Sequence, residues 1–371
     1  MNADVLIIGG GLQGCSTAYH LARNGASVVV IEKDYIARHA SGVNAGGVRL
    51  LGRDLAEVPL SKASMEMWQT LDDTLKEDTG FRRKSLVNIA ADEADIATLQ
   101  ARETKMRALG YGHEQMLTQA ELRELLPHVH PSCVGGVVSE SDGYALPYQA
   151  TNAFRRAAMR FGARFFEGQT LGRLRQVGTT WIAQTQDKCF EAANVINCAG
   201  AWADQVAMRI GDNVPLSHAA PMLMITARLP HFAGPVVGAV SRQLSFKQFE
   251  NGTVLIGGGA KGFADRANNK TSLDYAKLAR AAKTTIEFFP IMRGASINRM
   301  WAGLEAYMPD NLPVIGPAVN AANAFHAFGF SAHGFQMGPI VGKVMADLVL
   351  TGETDFDLSA FRIDRYDRKT L

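Results

Sequence analysis

Cysteine is sparse in this chain: Cys15, Cys133, Cys189 and Cys198 are the only four, and none stands in CxxC spacing. Neither an iron–sulfur cluster nor a zinc site can be assembled from them in an obvious way, so buried free thiols are the expectation. His128 and His130 lack a nearby third ligand and lie between Pro127 and Pro131, which reads as a surface turn; no metal site is expected. A surplus of one charge is also missing. The 38 Lys and Arg residues intermix with 36 Asp and Glu for a formal charge of +2, without long runs. That excludes the electrostatic footprint of a nucleic-acid binder or of a protein drawn to an anionic membrane. No apolar run reaches the ~18 residues that a membrane helix needs. The first strand begins at residue 4 or 5 and leaves no room for a signal peptide, so the expected location is cytoplasmic.

Glycine, by contrast, is frequent and placed with purpose. Val5 to Ile8 is a continuous apolar run, which predicts a buried parallel strand, and Gly9, Gly11 and Gly14 follow it as GxGxxG where a helix should open. Gly9 suits the tight turn, Gly11 lets backbone approach a pyrophosphate, and Gly14 lets helix pack closely on strand. Leu12 and Gln13 then sit in the first turn, where free N–H groups and the positive helix end favour phosphate. The helix runs to about Asn24 and stops at Gly25. A second apolar strand, Val28 onward, ends at Glu32, placed to accept ribose hydroxyls. Strand, motif, helix, strand and terminal acid in this order predict a dinucleotide site.

A polar, glycine-rich stretch follows, with Ser41, Asn44, Ala45, Gly46 and Gly47, and runs into Arg49. Its exposed backbone suits a flat or anionic ligand. Arg49 and Arg53 stand around an apolar pair of leucines, which points to a structured segment presenting cations. A helix is expected over Leu60 to Glu77 with Ala63, Met67 and Leu71 on one face, then a strand at Ser85 to Ala90 and a charged helix at Asp92 to Leu109. Thr118 to Glu121 spells a capping box with Leu117 and Leu122 as its staple. After Pro147, the residues Ala150, Phe154, Ala157, Ala158 and Phe161 recur at helical spacing and predict core packing. The strand ending at Cys198 leads into Ala199, Gly200 and Trp202, a second backbone-exposing turn. Residues 215–297 change character to β-rich segments, and the cofactor-type patterns resume at Trp301, Gly303 and Glu305 and close at Ser331, His333, Gly334, Phe335, Gln336 and Gly338.

With 371 residues, 47% of them hydrophobic, two domains are expected. Residues 1–90, 145–214 and 298–371 form the dinucleotide-binding part, and 91–144 with 215–297 form an inserted substrate-binding part. The fold class is α/β, Rossmann-like, with an insertion built of a mixed β-sheet and helices.

These motifs, spread along the whole chain, resemble those of the flavin-dependent glycine and D-amino-acid oxidase (DAO) family, which includes sarcosine oxidases. Within that family the chain is most similar to the β-type catalytic subunits of heteromeric opine oxidases, with hydroxyproline dehydrogenases and hydrogen cyanide synthase subunits as cousins. The resemblance implies a glutathione-reductase-type FAD-binding domain and non-covalent FAD, held by Gly9, Gly11, Gly14, Glu32, Lys33, Ser41, Asn44, Gly46, Gly47, the backbone near Leu171, Gly200 and Trp202. It implies that the flavin ring lies between the Ala45 to Arg49 loop and the Gly334 to Gly338 segment. The implied reaction is hydride transfer from the carbon bearing the amine to flavin N5, followed by hydrolysis of the imine to amine and keto acid.

Two departures bear on the substrate. Glycine-oxidase-like members place an arginine where this chain has Glu305, and sarcosine oxidases a lysine where it has Gln336. Arg49 or Arg53 is then the candidate for the substrate carboxylate, and Glu305 for a cationic group such as an arginine-derived opine carries, or else for ordering the flavin loop. His333 reads either as a structural hydrogen-bonded residue or as part of the site. Oxygen-using members carry a flavin-side lysine at the position of Leu255, so the resemblance implies a dehydrogenase that passes electrons to partner subunits holding an iron–sulfur centre and possibly a second flavin. The alternatives are a D-amino-acid or hydroxyproline dehydrogenase or oxidase, and a flavin-carrying electron-transfer or assembly subunit without its own turnover.

Overall fold

A computed structural model describes residues 1–369, with side chains to residue 366. Its first strand, Asn2–Ile8, lies inside an eight-stranded sheet, flanked in parallel by Val28–Ile31 and Cys189–Asn197. The apolar runs of the first two strands are buried on both faces, as strands inside a parallel sheet must be. Cys189–Asn197 is long because it does two jobs. Its first half pairs antiparallel with Thr180–Gln184, and its second half runs parallel to both Asn2–Ile8 and Ala324–Phe328. The chain thus returns to this sheet from its far end.

One face of the sheet is covered by three helices: Leu12–Arg23, Pro147–Arg160 and Gly334–Thr351. The first and last approach so closely that a Cβ on Gly342 would stand 2.1 Å from the Ser16 hydroxyl. This contact ties the two ends of the chain into one core.

The second sheet has eleven strands, mostly antiparallel. Its organiser is Ser217–Thr226, which pairs with Val254–Ile256, Lys261–Asp265, Ile297–Ala302 and Glu305–Tyr307. Phe232, Phe246 and Phe289 form its aromatic centre under the helix Tyr275–Phe288. Leu86–Ala90 pairs here with Val236–Ala239 and Gly135–Ser139, and Ile297–Tyr307 also contributes here. Both segments, close to the expected divisions at 90 and 298, thus pair within the second sheet.

Several local expectations hold. Asp92 caps the helix Glu93–Ala108 by accepting from Asp95 N, and Thr118 with Glu121 forms the full capping box. Others need correction. The helix expected over residues 60–77 is two, Val58–Gln69 and Leu71–Leu75, broken at Thr70 and stopped by Lys76 at a φ of 52°. Its buried face is Ser61, Ser64, Met65 and Trp68, so Ala63 and Met67 only flank it. Phe161 is half exposed, because it caps its helix instead of continuing the stripe. Cys189 is exposed at a strand start, while the other three thiols are buried and free. Among the described residues no helix is long and apolar enough to cross a membrane.

Candidate active site

Between the two sheets lies a cavity of about 660 Å³ whose walls come from both chain ends and the centre. Gly9, Gly11, Leu12, Gln13, Glu32 and Lys33 line it from the first strand–helix–strand unit. Ser41, Asn44, Ala45, Gly46 and Gly47 line it from the following loop, and Leu171, Ala199, Gly200 and Trp202 from the middle of the chain. Gly303, Gly334 and Phe335 close it from the C-terminal part. Two candidates lie behind the wall. Gly14 packs so that a Cβ would meet the Gly9 carbonyl at 2.0 Å, and Gln336 is fully buried.

The dinucleotide end fits a phosphate-bearing ligand on physical grounds. Gly9 holds a φ of 113°, and a Cβ there would stand 2.2 Å from the Cys198 carbonyl, so only glycine permits the turn. The helix Leu12–Arg23 begins at Gly11 with no side-chain cap and no acidic residue in its first turn. Ser41 takes only the first of its N–H groups, that of Leu12, and a helix end that faces a cavity with the following N–H groups open calls for an anion. Next to it Glu32 accepts from Gly10 N at 2.7 Å and Asp34 N at 2.9 Å, which fixes its carboxylate at the cavity wall while burial pushes its pKa up. Around Gly47 and Gly200 a Cβ would meet no protein atom within 4 Å. At those positions the cavity keeps the space that side chains would fill.

The Ser41 to Gly47 loop is held from all sides. Ser41 Oγ accepts from Leu12 N at 2.9 Å, Asn44 Oδ1 accepts from Gly46 N at 2.6 Å, and Trp301 Nε1 donates to Val43 O at 2.9 Å. From beneath, Lys247 donates to the Ala45 carbonyl, its ammonium 4.6 Å from the Tyr144 ring centre and 5.4 Å from that of Phe249. Burial alone pulls this lysine's pKa down to about 7. Sequence reasoning missed Lys247, since nothing local distinguishes it from a solvent-facing strand lysine.

At the other end the structure gathers Arg49, Arg53, His333 and Glu305 on the cavity wall. Arg53 is 1% exposed and spends its nitrogens inside the protein: Nε on Arg49 O, Nη1 on His333 O and Nη2 on Gln336 Oε1, at 3.0 to 3.2 Å. Gln336 Nε2 in turn donates to Ser61 O at 2.8 Å. Arg49 is less committed. Only its Nη1 has a protein acceptor, Leu51 O at 2.7 Å, among the described residues. Its charge is balanced at longer range by Asp142 and Glu57.

Glu305 is half buried and accepts from Ala332 N at 3.0 Å. Burial pushes its carboxyl up to about 7, against the smaller opposing pull of that N–H and of Lys261. His333 follows Ser331 and Ala332, both at positive φ, in the turn that heads the helix Gly334–Thr351. Its Nδ1 lies 3.1 Å from Glu57, a fully buried carboxylate that sequence reasoning also missed; the one signal was its spacing of four from Arg53.

Residues 4–348 match the model of the DAO family, described as FAD dependent oxidoreductase. The chain is 25% identical to the mitochondrial dimethylglycine dehydrogenase of Mus musculus, over 99% of this chain and 44% of that protein, so it spans less than half of that relative. It is 24% identical to the B subunit of opine oxidase from Rhizobium meliloti, over 98% of each. Among solved structures, glycine oxidase from Geobacillus kaustophilus superposes with a TM-score of 0.91 at 25% identity, over 98% of this chain and 99% of that one. L-Proline dehydrogenase from P. horikoshii does so with a TM-score of 0.92 at 25% identity, over 100% and 99%. A cradle of bared backbone drawn from both termini, and a match that runs from the first strand into the last helix, lead to one conclusion: this chain belongs to the DAO family of FAD-dependent oxidoreductases.

Proposed function

We propose that this chain oxidises the C–N bond of an amino-acid derivative, an opine or other N-substituted amino acid, to an imine that water hydrolyses to amine and keto acid. The bound flavin supplies the hydride acceptor. The protein's own part is to place the substrate: Arg49 takes the carboxylate with its uncommitted donors, and Glu305 meets a cationic group on the substrate's other arm. The observation that carries this reading is that a cation with uncommitted donors, Arg49, and a carboxylate, Glu305, line the same cavity. Arg53, already occupied by His333 and Gln336, supports the pocket from behind.

The opine oxidase B subunit of Rhizobium meliloti, similar along its whole length, supports an opine as substrate and partner subunits as electron acceptors. With four scattered cysteines, the chain leaves an iron–sulfur centre to those partners. The FAD is held without a covalent bond, in the domain built on the first sheet, and the second sheet forms the substrate side. The test is anaerobic flavin bleaching by opines, D-amino acids, sarcosine and hydroxyproline, repeated on Glu305→Gln. Cationic opines should bleach the wild-type flavin fastest and lose most in the variant; an equal loss for neutral opines removes the pairing. Bleaching by none of them leaves a flavin-carrying subunit without turnover.

A further inference from the structure

Glu57 is an enclosed carboxylate beside this site. It is fully buried one residue before the helix Val58–Gln69, and among the described residues no backbone N–H or hydroxyl reaches either of its oxygens. Its close partners are His333 Nδ1 at 3.1 Å and Arg53 Nη1 at 3.8 Å, with Arg49 facing it from farther away. A carboxylate buried without backbone donors is costly, and a fold retains it only if its cationic or N–H partners repay the desolvation. Arg53 has three other acceptors and Glu57 is not its nearest. His333 has no other side-chain partner among the described residues.

The His333 backbone is fixed on both sides. Its N–H donates to Phe330 O at 2.8 Å, and its carbonyl accepts from Arg53 at 3.2 Å. The ring lines the cavity, and of its two nitrogens Nδ1 is the one buried without a hydrogen bond, which leaves Nε2 to the cavity side. Glu57 then favours one tautomer: Oε2 lies 3.1 Å from Nδ1, off the alignment of a full hydrogen bond, and its negative charge is best met by a proton on that nitrogen. An ionised carboxylate can only accept, so Nδ1 carries the proton and Nε2 is a bare base.

We propose that Glu57 is a positioning residue that holds His333 as the Nδ1–H tautomer, with its unprotonated Nε2 in the cavity to take the proton from the substrate ammonium. This rests on the amine-oxidation reading above. The step is a proton transfer: the N–H bond of the ammonium breaks, an Nε2–H bond forms, and the amine keeps the electron pair that the oxidation of its neighbouring carbon requires. The resulting imidazolium is stabilised by Glu57 and later returns its proton to solvent. The surroundings suit a base. Burial and the charges of Arg53 and Arg49 hold His333 below the usual histidine range, against the opposing pull of Glu57, so the ring is neutral at neutral pH.

Two readouts test this. The first is the ring nitrogen spectrum of 15N-histidine protein carrying FAD, without substrate, with His333 assigned by His333→Asn. Nδ1 should be protonated and Nε2 bare in the wild type, and this preference should be lost in Glu57→Gln. The second is the anaerobic rate of flavin reduction against pH. With Glu57 gone, the acid limb should move to lower pH by about a unit and the plateau should fall roughly tenfold or more, while the limb due to the substrate amine stays in place. Glu57→Asp should restore part of both. An Nε2–H tautomer in the wild type overturns the proposal, and so does a limb that stays put in Glu57→Gln while only the plateau falls. The wild-type spectrum does not depend on Glu57→Gln, so it decides the tautomer even if that variant fails to fold. If no amine bleaches the flavin, the functional reading falls separately, and the tautomer still decides the positioning role.

Discussion

Lys247 and Leu255 stand opposite each other on paired antiparallel strands, both buried. By resemblance, Leu255 occupies the place of a flavin-side lysine; the fold supplies a lysine from the neighbouring strand instead. That lysine is spent on the Ala45 carbonyl, beneath the loop that lines the cavity. Its chemistry is therefore that of a brace under the cofactor loop.

Lys247→Met should weaken FAD binding while leaving the fold intact. The Ala45 carbonyl would lose its donor, and an orphaned acceptor of this kind costs about 1–3 kcal/mol, equivalent to about 5- to 160-fold in affinity. Fluorescence titration of the apoprotein with FAD measures it; unchanged affinity would show that the loop holds without its brace.

The same residue gives stability a pH dependence. Its folded pKa lies near 7 and the ordinary lysine value is 10.5, so between those limits the unfolded chain binds more protons and stability rises with pH. Denaturant midpoints of the wild type should therefore climb from pH 7 to about 8, below the ordinary thiol pKa of about 8.5, and that slope should flatten in Lys247→Met.

Glu305 predicts a pH-dependent choice of substrate. With its carboxyl near 7, ionisation goes from about a tenth to about nine tenths between pH 6 and 8. Affinity for a cationic opine should rise up to about tenfold over that range and stay flat in Glu305→Gln. Equilibrium binding to the oxidised protein is the measurement, and a matching rise in the variant would assign the titration elsewhere.

A hairpin of Lys261–Asp265 and Lys270–Ser272 reaches from the second sheet to the dinucleotide end. There Asn269 bridges Lys33 and Asp34 at 3.0 and 3.1 Å, and Arg266 donates to Asp204 and the Ala201 carbonyl at 2.6 and 2.9 Å. Asn269→Ala removes the bridge at a cost of about 0.5–1.5 kcal/mol, so FAD should dissociate roughly two- to tenfold faster. Stopped-flow transfer of FAD to an excess of a scavenging apoprotein would read the rate. An unchanged rate would make the hairpin a bystander.

Two glycines separate folding from cofactor binding. Gly9→Ala drives a methyl into the Cys198 carbonyl at a φ of 113°, so the melting temperature and FAD affinity should fall together. Gly47→Ala meets no protein atom, so it should melt like the wild-type apoprotein yet bind FAD more weakly. Normal FAD affinity in Gly47→Ala would mean that the ligand stays clear of this wall.

The dinucleotide half was legible because its information is local. A strand, a turn that demands glycine, a helix start and a terminal acid lie within 32 residues, and spacing alone reveals them. The capping box at Thr118 was legible for the same reason. The break at Thr70 and the exposure of Phe161 were not, because a periodic stripe tells which face could be buried but not where the neighbouring helix ends.

By itself, the sequence determined a Rossmann-like opening, its glycine turns, and a set of charged candidates near both termini. Tertiary structure alone decided what those charges are for. Arg53 is occupied by groups 280 and more residues away, while Arg49 four positions earlier keeps free donors. Lys247 and Glu57 read in sequence as ordinary surface charges, and they acquire their roles only where distant segments remove them from water. Desolvation and pairing depend on which parts of the chain converge, and no local spacing encodes that convergence.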